Sequence, residues 1–322
     1  MSASPMPVVF MGTPDFSVPS LRALVASGFQ VLAVVTQPDR PRGRGQRLTP
    51  SPVKAAALAL GLPVWQPEKL SEPGVLEALR EIGPEAVVVV AFGQKVPPEV
   101  LHLPPLGCVN VHASLLPRFR GAAPIQRAIL AGESETGVTT MLMDEGWDTG
   151  PMLLQERVPL RPDETGGSLH DRLAEVGARL LVETLRGLRS GAVRPIPQDD
   201  RLATVAPRLK EDELLLEWTE TAESLERKVR ALAPLPGAVT FHRGRRLIVE
   251  AARVAGEDEV QALPGEPGTL CTPARPGHLL VSALDLPLEI LRLRPAGSRS
   301  MEGRAYLNGF PAEPGDRLGP ET

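Results

Sequence analysis

The chain has 322 residues, a formal net charge of −4 and 42% hydrophobic residues. That length suggests two domains with material for a full core, and the near-balanced charge excludes a bulk polyelectrolyte, so any nucleic-acid contact must come from local patches. Only two cysteines occur, Cys108 and Cys271, too few and too far apart for a disulfide framework or a metal-ligand set.

Residues 1–7 lack the basic region and long apolar core of a secretion signal, and the apolar run at residues 8–11 is too short to span a bilayer. A cytoplasmic protein with no membrane partner is the expectation. Residues 8–11 end at Gly12-Thr-Pro-Asp15, after which Leu21, Leu24 and Val25 mark one helical face up to Gly28: a strand, a turn and a helix. The turn lacks the three-glycine dinucleotide fingerprint, so it reads as a turn and helix cap, with room for an anion at the helix start.

Residues 31–36 form a second strand, 52–60 a helix with Val53, Ala56, Ala57 and Leu60 on one side, 62–65 a short strand and 74–81 a helix. The run 86–91 is apolar without alternation, which suits a strand buried on both faces of a parallel sheet. Between the second strand and the second helix, residues 37–52 carry Arg40, Arg42, Arg44 and Arg47 among glycines and prolines, with no apolar periodicity. So long a connection is either functional or a solvated surface loop. Arginine with glycine suits phosphate contacts, because the guanidinium fork donates to phosphate oxygens while glycine lets the backbone adapt.

An apolar run at 107–111 enters a stretch dense in functional groups, followed by a helix at 122–131 and strands at 137–143 and 152–158. A helix then starts at Ser168, with Ser168 and Asp171 as its capping box and Leu169, Leu173, Val176, Leu180 and Leu188 along one face. The Pro-rich polar segment 194–200 reads as a linker. Beyond it come a helix at 222–232 and strands at 239–242, 247–251, 268–271, 279–283 and 288–293, with a turn at 243–245. Together the units predict an α/β sheet with right-handed crossovers, then a small β-barrel or sandwich.

Ligands of open α/β sheets bind at the carboxyl ends of strands. Asn110 and His112 lie two apart, so on a strand they share one face. An amide donor beside an imidazole can hold a carbonyl oxygen as it becomes an oxyanion, the electrostatic need of acyl transfer. Each has a plainer alternative: asparagine ends strands by turn propensity, and a single histidine is usually structural. The loop at 143–150 offers Asp144, Glu145 and Asp148, any of which can orient the imidazole, or else form a simple Asp-Thr-Gly turn. An aspartic-protease reading fails, since one Asp-Thr-Gly in an α/β pattern lacks the second carboxylate and the all-β scaffold. No metal-site spacing is present among the histidines and cysteines.

The stretch Asn110-Val-His-Ala-Ser-Leu-Leu-Pro-Arg-Phe-Arg-Gly-Ala-Ala-Pro-Ile125, with Gly146-Trp-Asp-Thr-Gly150 downstream, resembles the signature of the folate-dependent formyltransferases. Phe10-Met-Gly-Thr-Pro-Asp-Phe16, Thr36-Gln-Pro-Asp-Arg40, Ser51-Pro-Val-Lys54 and Val89-Val-Ala-Phe-Gly93 extend the resemblance, which covers nearly the whole chain. It is fullest with the branch of the family that formylates the α-amine of methionine carried on initiator tRNA, using 10-formyltetrahydrofolate as formyl donor. The resemblance implies a Rossmann-like, mostly parallel sheet domain and a smaller β-barrel (OB-like) domain, divided here as a catalytic domain 1–190, a linker 191–209 and a tRNA-contacting domain 210–322. It implies catalytic roles for Asn110, His112 and Asp148. Ser114, Leu115, Leu116 and Pro117 match the segment assigned to the folate, and Val90, Phe92, Gly93 and Asp144 border the pterin. Arg40, Arg42, Arg44 and Arg47 fall in the family's inserted loop near the tRNA acceptor end.

Three departures stand out: Ala113 where glycine is common, Phe92 where tyrosine is frequent, and Phe119 in place of tryptophan. The same Asn, His and Asp would also serve a formyltransferase acting on a small amine, or a 10-formyltetrahydrofolate hydrolase. The arginine loop and extra β domain favour a large polyanionic acceptor. A monomer needing no metal is the remaining expectation.

Overall fold

In the computed structural model, which describes residues 4–42, 47–261, 265–311, 313 and 316–320, the chain opens with β1 (Pro7–Gly12), where Val8, Val9, Phe10 and Met11 are fully buried. A turn at Asp15–Ser17 leads into α1 (Val18–Ala26), which carries Pro19 in its first turn, where no intrahelical N–H bond is lost. There follow β2 (Gln30–Val35), the short β3 (Arg40–Arg42) and β4 (Arg47–Thr49), α2 (Pro52–Ala59), β5 (Val64–Trp65), α3 (Pro73–Ile82), β6 (Ala86–Val90), α4 (Pro98–Leu101), β7 (Cys108–His112), α5 (Pro124–Leu130), β8 (Glu135–Leu142), β9 (Met152–Pro159) and α6 (Gly166–Ser190).

Seven of these strands make one sheet in the order β5-β2-β1-β6-β7-β8-β9. The first five are parallel; β8 runs antiparallel to β7, and β9 to β8. Val9, Met11, Val87 and Val89 pack on one face against Leu79 of α3 and Val100 and Leu101 of α4. All five residues of β6 are buried, the reason its sequence shows no alternation. Strand order reverses between β1 and β6, and hydroxyls fix that point: Ser17 Oγ donates to the Val90 carbonyl at 2.6 Å and Thr13 Oγ1 to the Phe92 carbonyl at 2.8 Å.

Two local expectations are corrected. Helix α6 starts at Gly166 rather than Ser168, because the reciprocal cap is Thr165 with Ser168: the Ser168 N–H donates to Thr165 Oγ1 at 3.1 Å and the Thr165 N–H to Ser168 Oγ at 3.0 Å. Asp171 instead pairs with the neighbouring His170 at 2.9 Å. Part of the arginine loop is not irregular either, since β3 and β4 pair antiparallel with Arg40 opposite Thr49.

The described residues divide into two units, Met1–Pro124 with Glu135–Pro159 and His170–Ala206, and Ile125–Ser134 with Leu160–Leu169 and Pro207–Thr322. In the second, α7 (Ala222–Leu232) is followed by β10 (Ala238–His242), β11 (Arg245–Val254), β12 (Leu280–Ser282), β13 (Pro287–Pro295), β14 (Met301–Glu302) and α8 (Gly303–Gly309). The strands are antiparallel in the order β10-β11-β13-β12, with β14 on β13. Leu225, Val229 and Leu232 of α7 share a core with Leu247, Val249, Ile290, Leu293 and Tyr306. Short segments complete a ring: Leu270 bridges Val281 of β12, Thr269 bridges Arg317, and Leu318 bridges His242 of β10. This closes the small β domain without free edges at those positions.

His242 lies 3% exposed at the seam, its Nδ1 hydrogen-bonded to the Tyr306 hydroxyl at 2.7 Å and its Nε2 3.6 Å from Asp316 Oδ2. Burial pushes this imidazole below its usual pKa, Asp316 opposing and Arg243 reinforcing the shift. No helix among the described residues is long and apolar enough to cross a membrane.

Candidate active site

Strand β7 brings its polar residues to one face, as the two-residue period requires. His112 is buried and Asn110 half-buried. Asp148, far away in sequence, stands over both: Oδ1 is 3.5 Å from Asn110 Nδ2 and Oδ2 is 3.6 Å from His112 Nδ1. These separations are long for hydrogen bonds. Asp148 Oδ2 also accepts from the Gly121 N–H at 2.9 Å. On the far side of the imidazole, Nε2 bonds to the Phe119 carbonyl at 2.9 Å. A carbonyl only accepts, so Nε2 bears hydrogen and Nδ1 is the nitrogen left to exchange a proton beside Asp148.

The two loops that meet at His112 are tightly shaped. Asp148 and Phe119 both adopt left-handed backbone, at φ of 55° and 59°, which side-chain-bearing residues hold only when their surroundings over-determine it. Asp144 Oδ1 accepts from the Gly146 N–H at 3.0 Å and from Thr149 Oγ1 at 2.7 Å, which folds the loop at 143–150. A Cβ on Gly150 would lie 1.9 Å from the Leu142 carbonyl, so only glycine closes that loop. Gly121, at φ 121°, faces the Ala206 carbonyl at 2.7 Å from where a Cβ would stand. Trp147, next to Asp148, is 74% exposed.

Not all the folate candidates converge. Val90 and Phe92 are buried, and Phe92 packs its ring into the cluster that also receives Met143, so this segment offers Ala91, Gly93 and backbone rather than those side chains. Because Val89 is in register with Asn110, residues 90–93 emerge beside the carboxyl end of β7. Ser114 is fully buried and its hydroxyl donates to the Arg118 carbonyl at 2.6 Å, closing the turn itself. Leu115, Leu116 and Pro117 line a cavity of about 420 Å³ with Phe119, Glu135, Gln155, Arg157 and Leu202, and Val90, Phe92, Gly93 and Asp144 are not among its lining residues. Ala113 is buried, its methyl accommodated.

Of the arginines, Arg44 lies outside the described residues, and only the backbone of Arg42 and Arg47 is described. Arg40 donates to Gln37 Oε1 at 3.3 Å. The base of the hairpin is pinned by Asp39, which accepts from Lys54 Nζ at 2.7 Å and Gln66 Nε2 at 2.8 Å; these bonds hold its carboxyl below the usual range. Sequence reasoning did not single out Gly121, Gln198 and Thr204, which bond to the loops around His112, or Arg120, which holds Gln198, because these contacts cross gaps in sequence that carry no periodic signal. Among the described residues no group of three or more His, Cys, Asp or Glu is placed to hold a metal ion.

The formyl transferase family model matches residues 6–185, and that of the formyl transferase C-terminal domain matches 208–311. Methionyl-tRNA formyltransferase of Moorella thermoacetica is 50% identical over 98% of this chain and 99% of its own length; that of Halorhodospira halophila is 53% identical over 96% and 98%. The chain belongs to the methionyl-tRNA formyltransferase family. Asn110, His112 and Asp148 thus lie within the part of this family member that matches the formyl transferase model. More distant solved structures share the fold alone: HypX from Aquifex aeolicus in complex with tetrahydrofolic acid (TM-score 0.63, 19% identity, 99% of this chain and 51% of that one), and the Helicobacter canadensis N-formyltransferase with folinic acid and dTDP-3-aminofucose (TM-score 0.63, 17% identity, 88% and 98%).

Proposed function

We propose that this member of the family transfers the formyl group of 10-formyltetrahydrofolate to the α-amine of methionine esterified to initiator tRNA, acting as a cytoplasmic monomer. The observation that carries the chemistry is the convergence of Asn110, His112 and Asp148 on one face of β7; the acceptor is supported by full-length relatives named for it. The folate supplies an activated formyl carbon. Exposed backbone at residues 91 and 93, beside the catalytic strand end, suits a pterin edge that offers both donors and acceptors.

The amine of an aminoacyl ester is less basic than that of a free amino acid, so much of it is neutral and nucleophilic near neutral pH. As it adds to the formyl carbon, negative charge grows on the formyl oxygen, and the Asn110 amide and His112 are the donors within the site that can hold it. His112 exchanges its proton through Nδ1, because Nε2 is committed to the Phe119 carbonyl. Asp148 orients the ring and balances the charge that develops on it; as the oxyanion re-forms the carbonyl, the bond from the formyl carbon to the folate nitrogen breaks, and that nitrogen takes up the proton lost by the amine through a side chain or an ordered water. Arg40, Arg42, Arg44 and Arg47 supply the local positive patch that an acidic protein needs to hold an RNA acceptor end. Incubation with 10-formyltetrahydrofolate and, in turn, charged initiator methionyl-tRNA, uncharged tRNA and small amines tests this reading: formyl product with the charged tRNA alone supports it, and product with a small amine alone overturns it.

A further inference from the structure

Residues 191–209 are polar and rich in proline, the composition of a tether, yet their middle is built into the first unit. Ile196 and Met152 exchange two backbone hydrogen bonds at 2.8 Å. Gln198 Nε2 donates to the carbonyls of Asp148 at 2.8 Å and Gly150 at 2.7 Å. Its Oε1 accepts from Arg120 Nε and Nη2 at 3.0 and 2.8 Å, and the same guanidinium donates to Asp200 Oδ1 at 2.8 Å. Farther along, Thr204 Oγ1 accepts from the Phe119 N–H at 2.8 Å, and the backbone of 204–206 brackets Arg120 through bonds of 2.8 and 2.6 Å.

We infer that this strap belongs to the catalytic apparatus, with Gln198 and Thr204 as positioning residues that fix the two groups flanking His112: Asp148 beside Nδ1 and the Phe119 carbonyl beside Nε2. Both flanking residues are held in left-handed backbone, so each needs external restraint. Gln198 is suited to give it, because its two N–H groups reach two carbonyls on either side of Thr149 while Arg120 fixes which way the amide points. The carboxylate of Asp148 therefore inherits its place over Asn110 and His112 from a side chain fifty positions downstream. An ångström of slack there is worth up to about a hundredfold in rate.

The inference rests on assigning Asp148 and His112 to the reaction, and the test separates the two ideas. Single-turnover formyl transfer, both KM values and melting temperature are measured for Gln198→Ala, Gln198→Glu, Thr204→Val, Thr204→Ser, Asp148→Asn and the double variant Gln198→Ala/Asp148→Asn, with Leu58→Ser, exposed on α2 and outside the strap, as the control. Gln198→Ala is expected to lower the rate about ten- to a hundredfold, with KM for each substrate changed less than about threefold. Gln198→Glu, which keeps the shape but loses both donors, should show the same loss even if the alanine variant fails to fold. In the Asp148→Asn background the Gln198→Ala loss should vanish, as it must if one residue acts through the other. Thr204→Val should be slower, and Thr204→Ser should recover the rate. Equal losses in both backgrounds, or rates that only follow melting temperature, overturn the inference. Wild-type rates for both Gln198 variants beside an inactive Asp148→Asn overturn it alone, whereas an Asp148→Asn enzyme of normal rate overturns the site assignment as well.

Discussion

The molecule holds two buried histidines that each face an aspartate at 3.6 Å, His112 with Asp148 and His242 with Asp316. By composition and distance they are the same pair, yet their surroundings differ. His242 has its other nitrogen on the Tyr306 hydroxyl, its aspartate is taken by Arg243 Nη2 at 2.6 Å, and Tyr306 stacks on Phe310. Tyr306 and Arg243 hold the two members of that pair, and the His242 Nε2 is buried without a hydrogen bond of its own. His112 instead spends one nitrogen on a backbone carbonyl and leaves the other beside a half-buried amide and a carboxylate that, among the described residues, has no arginine partner. What separates the two pairs is the aspartate: Arg243 claims Asp316, whereas among the described residues no arginine claims Asp148.

The sharpest way to break that contrast is by rate. Asn110→Ala or Asp148→Ala should cost single-turnover formyl transfer about a hundredfold or more, the usual effect of losing one oxyanion donor, while His242→Gln should leave it within about twofold at a permissive temperature. Stability should show the reverse. Tyr306→Phe leaves the buried His242 Nδ1 without its partner and should cost about 1–3 kcal/mol, seen as a lower melting temperature for the β domain; Asn110→Ala should barely shift it. Arg40→Ala should weaken tRNA binding and lower the salt dependence by about one unit of slope, leaving the rate with bound substrate unchanged.

The smallest effects are in pH. His242 is held below its usual pKa in the folded state, so the unfolded chain binds more protons just below pH 6.5; stability is full above that pH and falls as the solution is acidified, a slope that His242→Gln should remove. A second loss follows at lower pH. Glu213 and Glu259 are lowered to about 2, by Arg127 and Arg253 respectively, so what they contribute is present above about pH 4.5 and lost on the way down. Thermal melts from pH 8 to 3 on the wild type and His242→Gln check both slopes.

Much of the first unit was legible because its signals are hydrophobic runs and alternations: β6 is an unbroken apolar run, and Asn110 and His112 share a face by the two-residue period. Asp148 was one of three carboxylates in its loop, and only the fold shows that Asp144 is spent on the Gly146 N–H and Thr149. Helix α4 escaped notice at a single turn in length, and α8 because its buried Tyr306 and Gly303 serve a tertiary contact rather than a stripe. The strap was illegible for a deeper reason. Its restraints run through single polar side chains and irregular backbone, which leave no hydrophobic pattern for sequence to carry.

The strap also sets where this protein can be divided. A fragment cut at residue 190, the end of α6, would contain Asn110, His112 and Asp148 and every strand of the large sheet. It would lack Gln198 and Thr204, and with them the bonds that seat Asp148 and the Phe119 carbonyl. Anyone excising the large-sheet unit would have to place the junction after Ala206, so that the last backbone bond to Arg120 travels with it.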